Sequence, residues 1–207
     1  MIKKKLIIFD IDGVMFDSLK NMKVAWEQTK NKFKINVDFE NYAKYLGLPF
    51  FSILQKLGIN SNINEIQNCY QLTSEKYFNL IVPYKKTQET ISLLNKNEIK
   101  IAICTSKDSK RTKKLLSKYN LKFDAIEADD NNQKKGKPQP DQILSILNKL
   151  KIDKEYSVYI GDMYIDYLTA INAEIDYLHA GWGYSKINQN VTILNSIDEI
   201  LDYVEMK

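Results

Sequence analysis

Short apolar runs alternate with longer amphipathic stretches through most of the chain. Leu6–Phe9, Ile99–Cys104, Ala125–Ala128, Val158–Ile160 and Tyr177–Ala180 have the length and continuity of strands buried on both faces. Between the later runs, apolar residues recur at helical spacing. Thr87–Lys96 carries Ile91 and Leu94 on one face, Ser109–Tyr119 carries Leu115, Leu116 and Tyr119, and Gln142–Leu150 carries Ile143, Ile146, Leu147 and Leu150. Ile165–Ala173 and Ile197–Val204 close the series. This alternation predicts an α/β fold: a parallel sheet of at least five strands with helices on both faces.

One segment departs from the alternation. From Leu19 to about Ile81 no convincing strand occurs. Helical spacing does, in Met22, Trp26, Thr29 and Phe33, in Phe51, Leu54 and Leu57, and from Ile66 to Leu80. Gly47, Pro49, Gly58 and the stretch 60–64 punctuate it. The pattern predicts three or four helices inserted after the first strand. Residues 1–17 and 83–207 would form the core and 18–82 a separate helical unit. Asn131–Lys137 reads as a polar loop.

Composition removes several function classes. The 207 residues, 44% of them hydrophobic, suffice for one sizeable core with a small second lobe. Among 30 basic residues Arg111 is the only arginine, which argues against a sequence-specific nucleic-acid binder. The clusters Lys3-Lys4-Lys5 and Lys134-Lys135 read as solvated turns. With Cys69 and Cys104 the only cysteines, no disulfide framework or zinc spacing is visible. With His179 the only histidine, a His-based triad or His metal cluster is not expected. No stretch approaches the length of a membrane span, and the expectation is a soluble cytoplasmic protein. Its oligomeric state, monomer or homodimer, is left open.

In an open parallel sheet the ligand crevice lies beyond the carboxyl ends of the strands. After the first predicted strand come Asp10-Ile11-Asp12-Gly13, and after the second Thr105 and Ser106. After the third and its loop come Gly136, Lys137 and Pro138; after the fourth come Gly161, Asp162 and, four residues on, Asp166. Two carboxylates so close to a buried run repel each other and resist burial. A site that tolerates them supplies a cation or gives one of them a proton to move. Taken singly, Asp10–Gly13 is compatible with a turn, Thr105-Ser106 with a helix cap and Asp166 with an exposed helix position. Their convergence on one edge points to catalysis.

The four motifs DIDGVMFDS, TS, KP and GDMYID, in that order and each at a predicted strand end, resemble the haloacid dehalogenase-like hydrolases. The helical insert and the loop Ala180-Gly181-Trp182-Gly183-Tyr184 are similar to the phosphoglycolate phosphatase and beta-phosphoglucomutase branch. The resemblance implies a Rossmann-like core with a helical cap over residues 18–82. It implies a Mg²⁺-dependent phosphatase that acts on a small phosphorylated metabolite through an aspartyl-phosphate. Asp10 would be the nucleophile, and Asp12 the acid and then the base. Thr105, Ser106, Lys137 and Gly13 would bind the phosphoryl group, with Lys137 also counted as catalytic. Mg²⁺ would bind Asp10, the Asp12 carbonyl and Asp162, with Asp166 supporting a water on the metal or steadying Lys137. Asp12 also separates phosphate chemistry from dehalogenation, where halide leaves unprotonated.

Two alternatives stand beside this reading: a beta-phosphoglucomutase-like mutase using the same residues, and a non-catalytic binding module, which would be expected to have lost a motif. The insert has no arginine, so a second acidic group on a substrate would need Lys44, Lys56 or backbone donors near 46–50. Ser18 matches the first motif or merely caps the first helix of the insert. Trp182 and Tyr184 either line the crevice mouth or pack the last loop. His179 reads as a structural strand-end residue, Cys104 as core and Cys69 as part of the insert.

Overall fold

The computed structural model describes residues 3–130 and 136–205. Its strands are β1 (Leu6–Phe9), β2 (Phe16–Asp17), β3 (Val82–Pro83), β4 (Lys100–Cys104), β5 (Ala125–Glu127), β6 (Ser157–Gly161), β7 (Asp176–Ala180) and β8 (Thr192–Leu194). Six of them form one parallel sheet in the order β5-β4-β1-β6-β7-β8. β1 lies between β4 and β6, and all four of its residues are fully buried. That is why it reads as an unbroken apolar run rather than an alternating one.

The pleat divides β1 between two cores. Ile7 and Phe9 join Ile91, Leu94, Leu115 and Ile200 on one face, while Leu6 and Ile8 join Ile143, Ile146 and Ala170 on the other. The covering helices include α5 (Thr87–Lys96), α6 (Ser109–Lys118), α7 (Asp141–Leu150) and α8 (Tyr164–Ala173), close to their predicted bounds.

Besides the two-residue strands β2 and β3, which are too short to carry a pattern, two elements differ from expectation. β8 was not predicted, because only Leu194 of its three residues is buried and so short an edge strand has no periodic signature. Ile197–Tyr203, predicted as α-helix, is a 3₁₀-helix. Its buried Ile197 and Ile200 stand three apart, a spacing that fits either helix.

The insert contains α1 (Leu19–Phe33), α2 (Phe39–Ala43), α3 (Phe50–Lys56) and α4 (Ile63–Lys76), followed by a 3₁₀ turn at Phe78–Leu80. No strand lies between residues 19 and 80, all of which are described. These helices have their own apolar cluster. Trp26 stacks on Tyr42 with ring centres 4.4 Å apart, and Phe50 meets Tyr70 at 4.7 Å. The chain leaves and re-enters the sheet-bearing part side by side, because β2 and β3 pair antiparallel.

The lysine cluster at the N-terminus is not uniformly solvated. Lys4 is buried, its ammonium 2.6 Å from the Glu155 carbonyl and 2.5 Å from Asp176. A buried ammonium needs such partners, and they come from segments remote in sequence. Lys134 and Lys135 lie outside the described residues, as does most of the polar loop expected at 131–137.

Candidate active site

The carboxyl ends of β1, β4 and β6 meet at one point, and the chemistry-bearing side chains collect there. Asp10 follows β1 directly and is 4% exposed; Asp162 and Asp166, after β6, are fully buried. Carboxylate oxygens of these three acids lie within 4.8 Å of one another. Two glycines make room for them. A Cβ on Gly13, whose φ is +85°, would fall 2.1 Å from Asp162 Oδ2. A Cβ on Gly183 would fall 2.2 Å from Asp162 Cβ.

Lys137 brings a positive charge into this cluster, 2.7 Å from Asp166 Oδ1 and 3.0 Å from Asp10 Oδ1. Burial opposes its charge, but Asp10 and Asp166 outweigh that and hold it well above the ordinary lysine range. Burial pushes Asp10 up to about 7 against the pull of Lys137, with Asp166 and Asp12 adding to the rise. Burial, then Asp166 and Asp10, push Asp162 well above the carboxylate range. Asp166 is also committed structurally. It accepts from Tyr159 Oη at 3.0 Å and from the Met163 amide at 3.0 Å, at the start of α8.

This cluster can accept a cation. Asp162 Oδ1 is buried without a hydrogen-bond partner, and Asp10 Oδ1 accepts no hydrogen bond although Lys137 Nζ is near. Hard, underused carboxylate oxygens of this kind suit Mg²⁺. Among the described residues, Asp10, Asp12, Asp162 and Asp166 form ion pairs with Lys107 and Lys137 alone, so a divalent cation would offset the excess negative charge.

Asp12 stands apart from the buried trio. Its side chain is 16% exposed, its Oδ2 lies 3.0 Å from Lys107 Nζ, and its Oδ1 accepts from Ser18 Oγ at 2.5 Å. The turn that carries it is fastened from below. The Met15 and Phe16 amides both donate to the Ile11 carbonyl, and Trp182 Nε1 donates to the Val14 carbonyl at 2.9 Å. Ser18 therefore does not cap α1 through its side chain; its hydroxyl holds Asp12.

Thr105 is buried at the end of β4 and faces the same chamber as Asp10 and Asp12. Ser106 lies beside it, but its hydroxyl donates to the Gly47 carbonyl of the insert at 2.6 Å. A Cβ on Gly136, next to Lys137, would fall 2.5 Å from Pro49 Cγ, so the insert is seated on the sheet-bearing part at two points. Tyr184 lines the chamber, accepts from the Ser18 amide at 2.7 Å and donates its own amide to Asp162 at 2.7 Å. Trp182 packs the loop. His179 is buried and structural, bonded to Tyr177 Oη at 3.0 Å and the Ser185 carbonyl at 2.9 Å. Cys104 is core and Cys69 lies half-buried on α4.

Two cationic chamber residues, Lys107 and Arg111, have no site role in the sequence reading. Lys107 follows Thr105-Ser106 directly, and a lysine beside a hydroxyl pair at a strand end was the available signal. Arg111, the only arginine, reaches from α6 to Ser74 of the insert at 3.2 Å and to the ring of Tyr70. Of the donors expected from the insert, the 46–50 segment does line the chamber, whereas the two lysines do not. Lys44 bonds Asn41 in an exposed position and Lys56 is exposed on α3; neither lines the chamber.

The sequence family described as haloacid dehalogenase-like hydrolase matches residues 7–180. A phosphoglycolate phosphatase of Aquifex aeolicus is 28% identical over 193 residues, covering 90% of this chain and 89% of that protein. A pyrophosphatase PpaX of Halalkalibacterium halodurans is 26% identical, covering 97% of each. Among solved structures, a hydrolase from Pseudomonas syringae superposes with a TM-score of 0.86 at 20% identity, covering 97% of each chain. CbbY from Rhodobacter sphaeroides, solved in complex with phosphate, superposes at 0.81 with 18% identity, covering 97% of this chain and 96% of that one. No described helix is long and apolar enough to cross a membrane.

Proposed function

The chain belongs to the haloacid dehalogenase-like hydrolases, and on that premise we propose that it is a Mg²⁺-dependent phosphatase forming an aspartyl-phosphate on Asp10. The observation that carries this reading is the setting of Asp10. It is a buried carboxylate at the end of the central strand, with an oxygen in no hydrogen bond, between a lysine and two further acids. Relatives named phosphoglycolate phosphatase and pyrophosphatase support hydrolytic chemistry at phosphorus.

Asp10 attacks phosphorus, and the bond to the leaving oxygen breaks as the acyl phosphate forms. Asp12 gives its proton to that leaving oxygen. It then takes a proton from the water that attacks the acyl phosphate, which releases inorganic phosphate and restores Asp10. Its greater exposure suits it to this exchange, and Ser18 and Lys107 orient its carboxylate. Thr105, the Ser106 backbone and Gly13 would bind phosphoryl oxygens, and Lys137 would supply countercharge. Asp10, the Asp12 carbonyl and Asp162 would hold Mg²⁺, with Asp166 behind them. The cation would supply charge neutralisation on the phosphoryl oxygens.

Residues 18–82 would be a cap domain over the core formed by 1–17 and 83–207. The chamber between them measures about 70 Å³, well below the ~300–1,000 Å³ typical of pockets for drug-sized ligands. Two free cysteines fit a reducing cytoplasm.

The test is phosphate release from a panel of phosphorylated metabolites with Mg²⁺, comparing wild type with Asp10→Asn. The wild type should release phosphate and the variant should not. Equal rates in the two proteins would exclude the covalent mechanism. No release from any panel member would exclude the phosphatase reading.

A further inference from the structure

The chamber has a cationic wall away from the acids. Arg111 projects from α6 towards the insert, with 13% of its side chain exposed. Its Nε pairs with Asp108, the residue that also caps α6 through the Arg111 amide. Its Nη1 donates to Ser74 Oγ at 3.2 Å, and Ser74 Oγ in turn donates to Asn21 Oδ1 at 2.7 Å. Asn21 Nδ2 is fixed by the Ser74 and Tyr77 carbonyls, both at 2.9 Å. Arg111, Ser74, Asn21, Tyr70 and Tyr42 all line the same chamber as Asp10 and Asp12. Among the described residues, no hydrogen bond is made by Arg111 Nη2.

We infer that this wall is an anion subsite, and that the preferred substrate carries a second acidic group a few bonds from the scissile phosphate. The inference rests on the phosphatase reading and refines it. A guanidinium offers its donors as a planar fork that matches a carboxylate or a phosphoryl oxygen pair. Here the fork is held from behind by Asp108 and Ser74, which limits the ordering needed on binding. Tyr42 and Tyr70 complete the wall with an apolar body and a polar tip. Because Arg111 lines the same small chamber as Asp10 and Asp12, the spacer between the two acidic groups is short. Substrates of this class include a phosphorylated two-carbon hydroxy acid and inorganic pyrophosphate.

A structural tether between α6 and α4 is the competing role for Arg111, and substrate pairs separate the two. Phosphoglycolate is compared with 2-hydroxyethyl phosphate, which replaces the carboxylate by a hydroxymethyl group. Pyrophosphate is compared with methyl phosphate. Buried polar groups left unpaired by the lesser substrate should give the wild type a kcat/KM ratio on the order of 10² or more for at least one pair. The pair that shows it distinguishes carboxylate from phosphoryl recognition. Arg111→Met should lower that ratio by about 30-fold or more, mainly through KM for the acidic substrate. Arg111→Lys should recover part of it.

Because the ratio is taken within one protein, a partly misfolded variant does not mimic the result. Binding of phosphonoacetate against ethylphosphonate to the Asp10→Asn protein supplies a second readout, and a preference for phosphonoacetate is expected. A wild-type ratio near one for both pairs, or a ratio unchanged in Arg111→Met, would overturn the subsite. Either result would leave phosphatase activity itself standing. Absence of phosphate release from every substrate would instead overturn the phosphatase reading.

Discussion

Ser18 Oγ donates a 2.5 Å hydrogen bond to Asp12 Oδ1. Ser18 is the residue before α1, and its amide donates to Tyr184 Oη at 2.7 Å. The start of the insert, the second acid of the DID motif and the loop after β7 are therefore joined at one residue.

Removing that hydroxyl should disturb Asp12 without touching Asp10. A hydrogen bond to a charged group contributes about 1.5–3 kcal/mol. Ser18→Ala should accordingly lower kcat on an alkyl phosphate by about 10- to 100-fold, and less on an aryl phosphate, whose leaving group needs little protonation. Steady-state rates on the two substrates check this. Equal losses on both would mean that the serine does not act through proton transfer.

Asp12→Asn removes the proton donor and acceptor but keeps the nucleophile. Turnover should fall on the order of 10²–10⁴-fold. On an aryl phosphate the first half-reaction should survive better than the second, so phosphate should accumulate on Asp10. Acid-quenched protein analysed by mass spectrometry should carry one phosphoryl group on the peptide containing Asp10. An unmodified peptide together with a slow burst would contradict the assignment.

Burial raises Asp10 to about 7 and Asp162 well above the ordinary carboxylate range in the metal-free protein. Both folded values exceed the unfolded value, about 4 for aspartate. Their contribution to stability is therefore fully present below pH about 4 and is lost as pH rises; for Asp10 the loss is complete just above about 7. In EDTA, Tm should decline across this interval, and Asp10→Asn should flatten part of the decline. Saturating Mg²⁺ should raise Tm most at the alkaline end, where the ionised ligands bind it. A Mg²⁺ shift that is the same at pH 5 and pH 8 would contradict the site.

Gly13 combines a φ of +85° with a Cβ position 2.1 Å from Asp162 Oδ2. Gly13→Ala meets both penalties. The left-handed backbone alone costs about 1–2 kcal/mol, and the clash displaces Asp162. The Mg²⁺ concentration giving half-maximal activity should rise by at least about tenfold, and Tm should fall. Unchanged Mg²⁺ dependence would show that Asp162 is free to move or is not a ligand.

The parts of this protein legible in its sequence are those decided by short stretches of chain. β1, β4 and β6 are buried on both faces, so continuous apolar runs mark them. Asp10, Thr105 and Asp162 each follow such a run directly, and a parallel sheet brings strand ends together whatever the details of packing. The helical insert was legible for a similar reason, since amphipathic spacing is a local property. β8 and the 3₁₀-helix at Ile197–Tyr203 were not, because three residues or an i, i+3 pair carry too little period to separate the possibilities.

Tertiary structure alone decided which long side chains meet which charges. Lys4 belongs to a run of lysines that looks solvated, yet it is buried on Asp176 and the Glu155 carbonyl. Ser106 lines the chamber, and its hydroxyl also ties the insert down through the Gly47 carbonyl, a contact the sequence does not show. Lys107 reaches Asp12, and Arg111 crosses from α6 to Ser74, although nothing in the spacing of those residues links them. Strand and helix patterns are set by neighbours a few residues away. Contacts between side chains are set by how the insert seats on the sheet, and that depends on packing between segments that are distant along the chain.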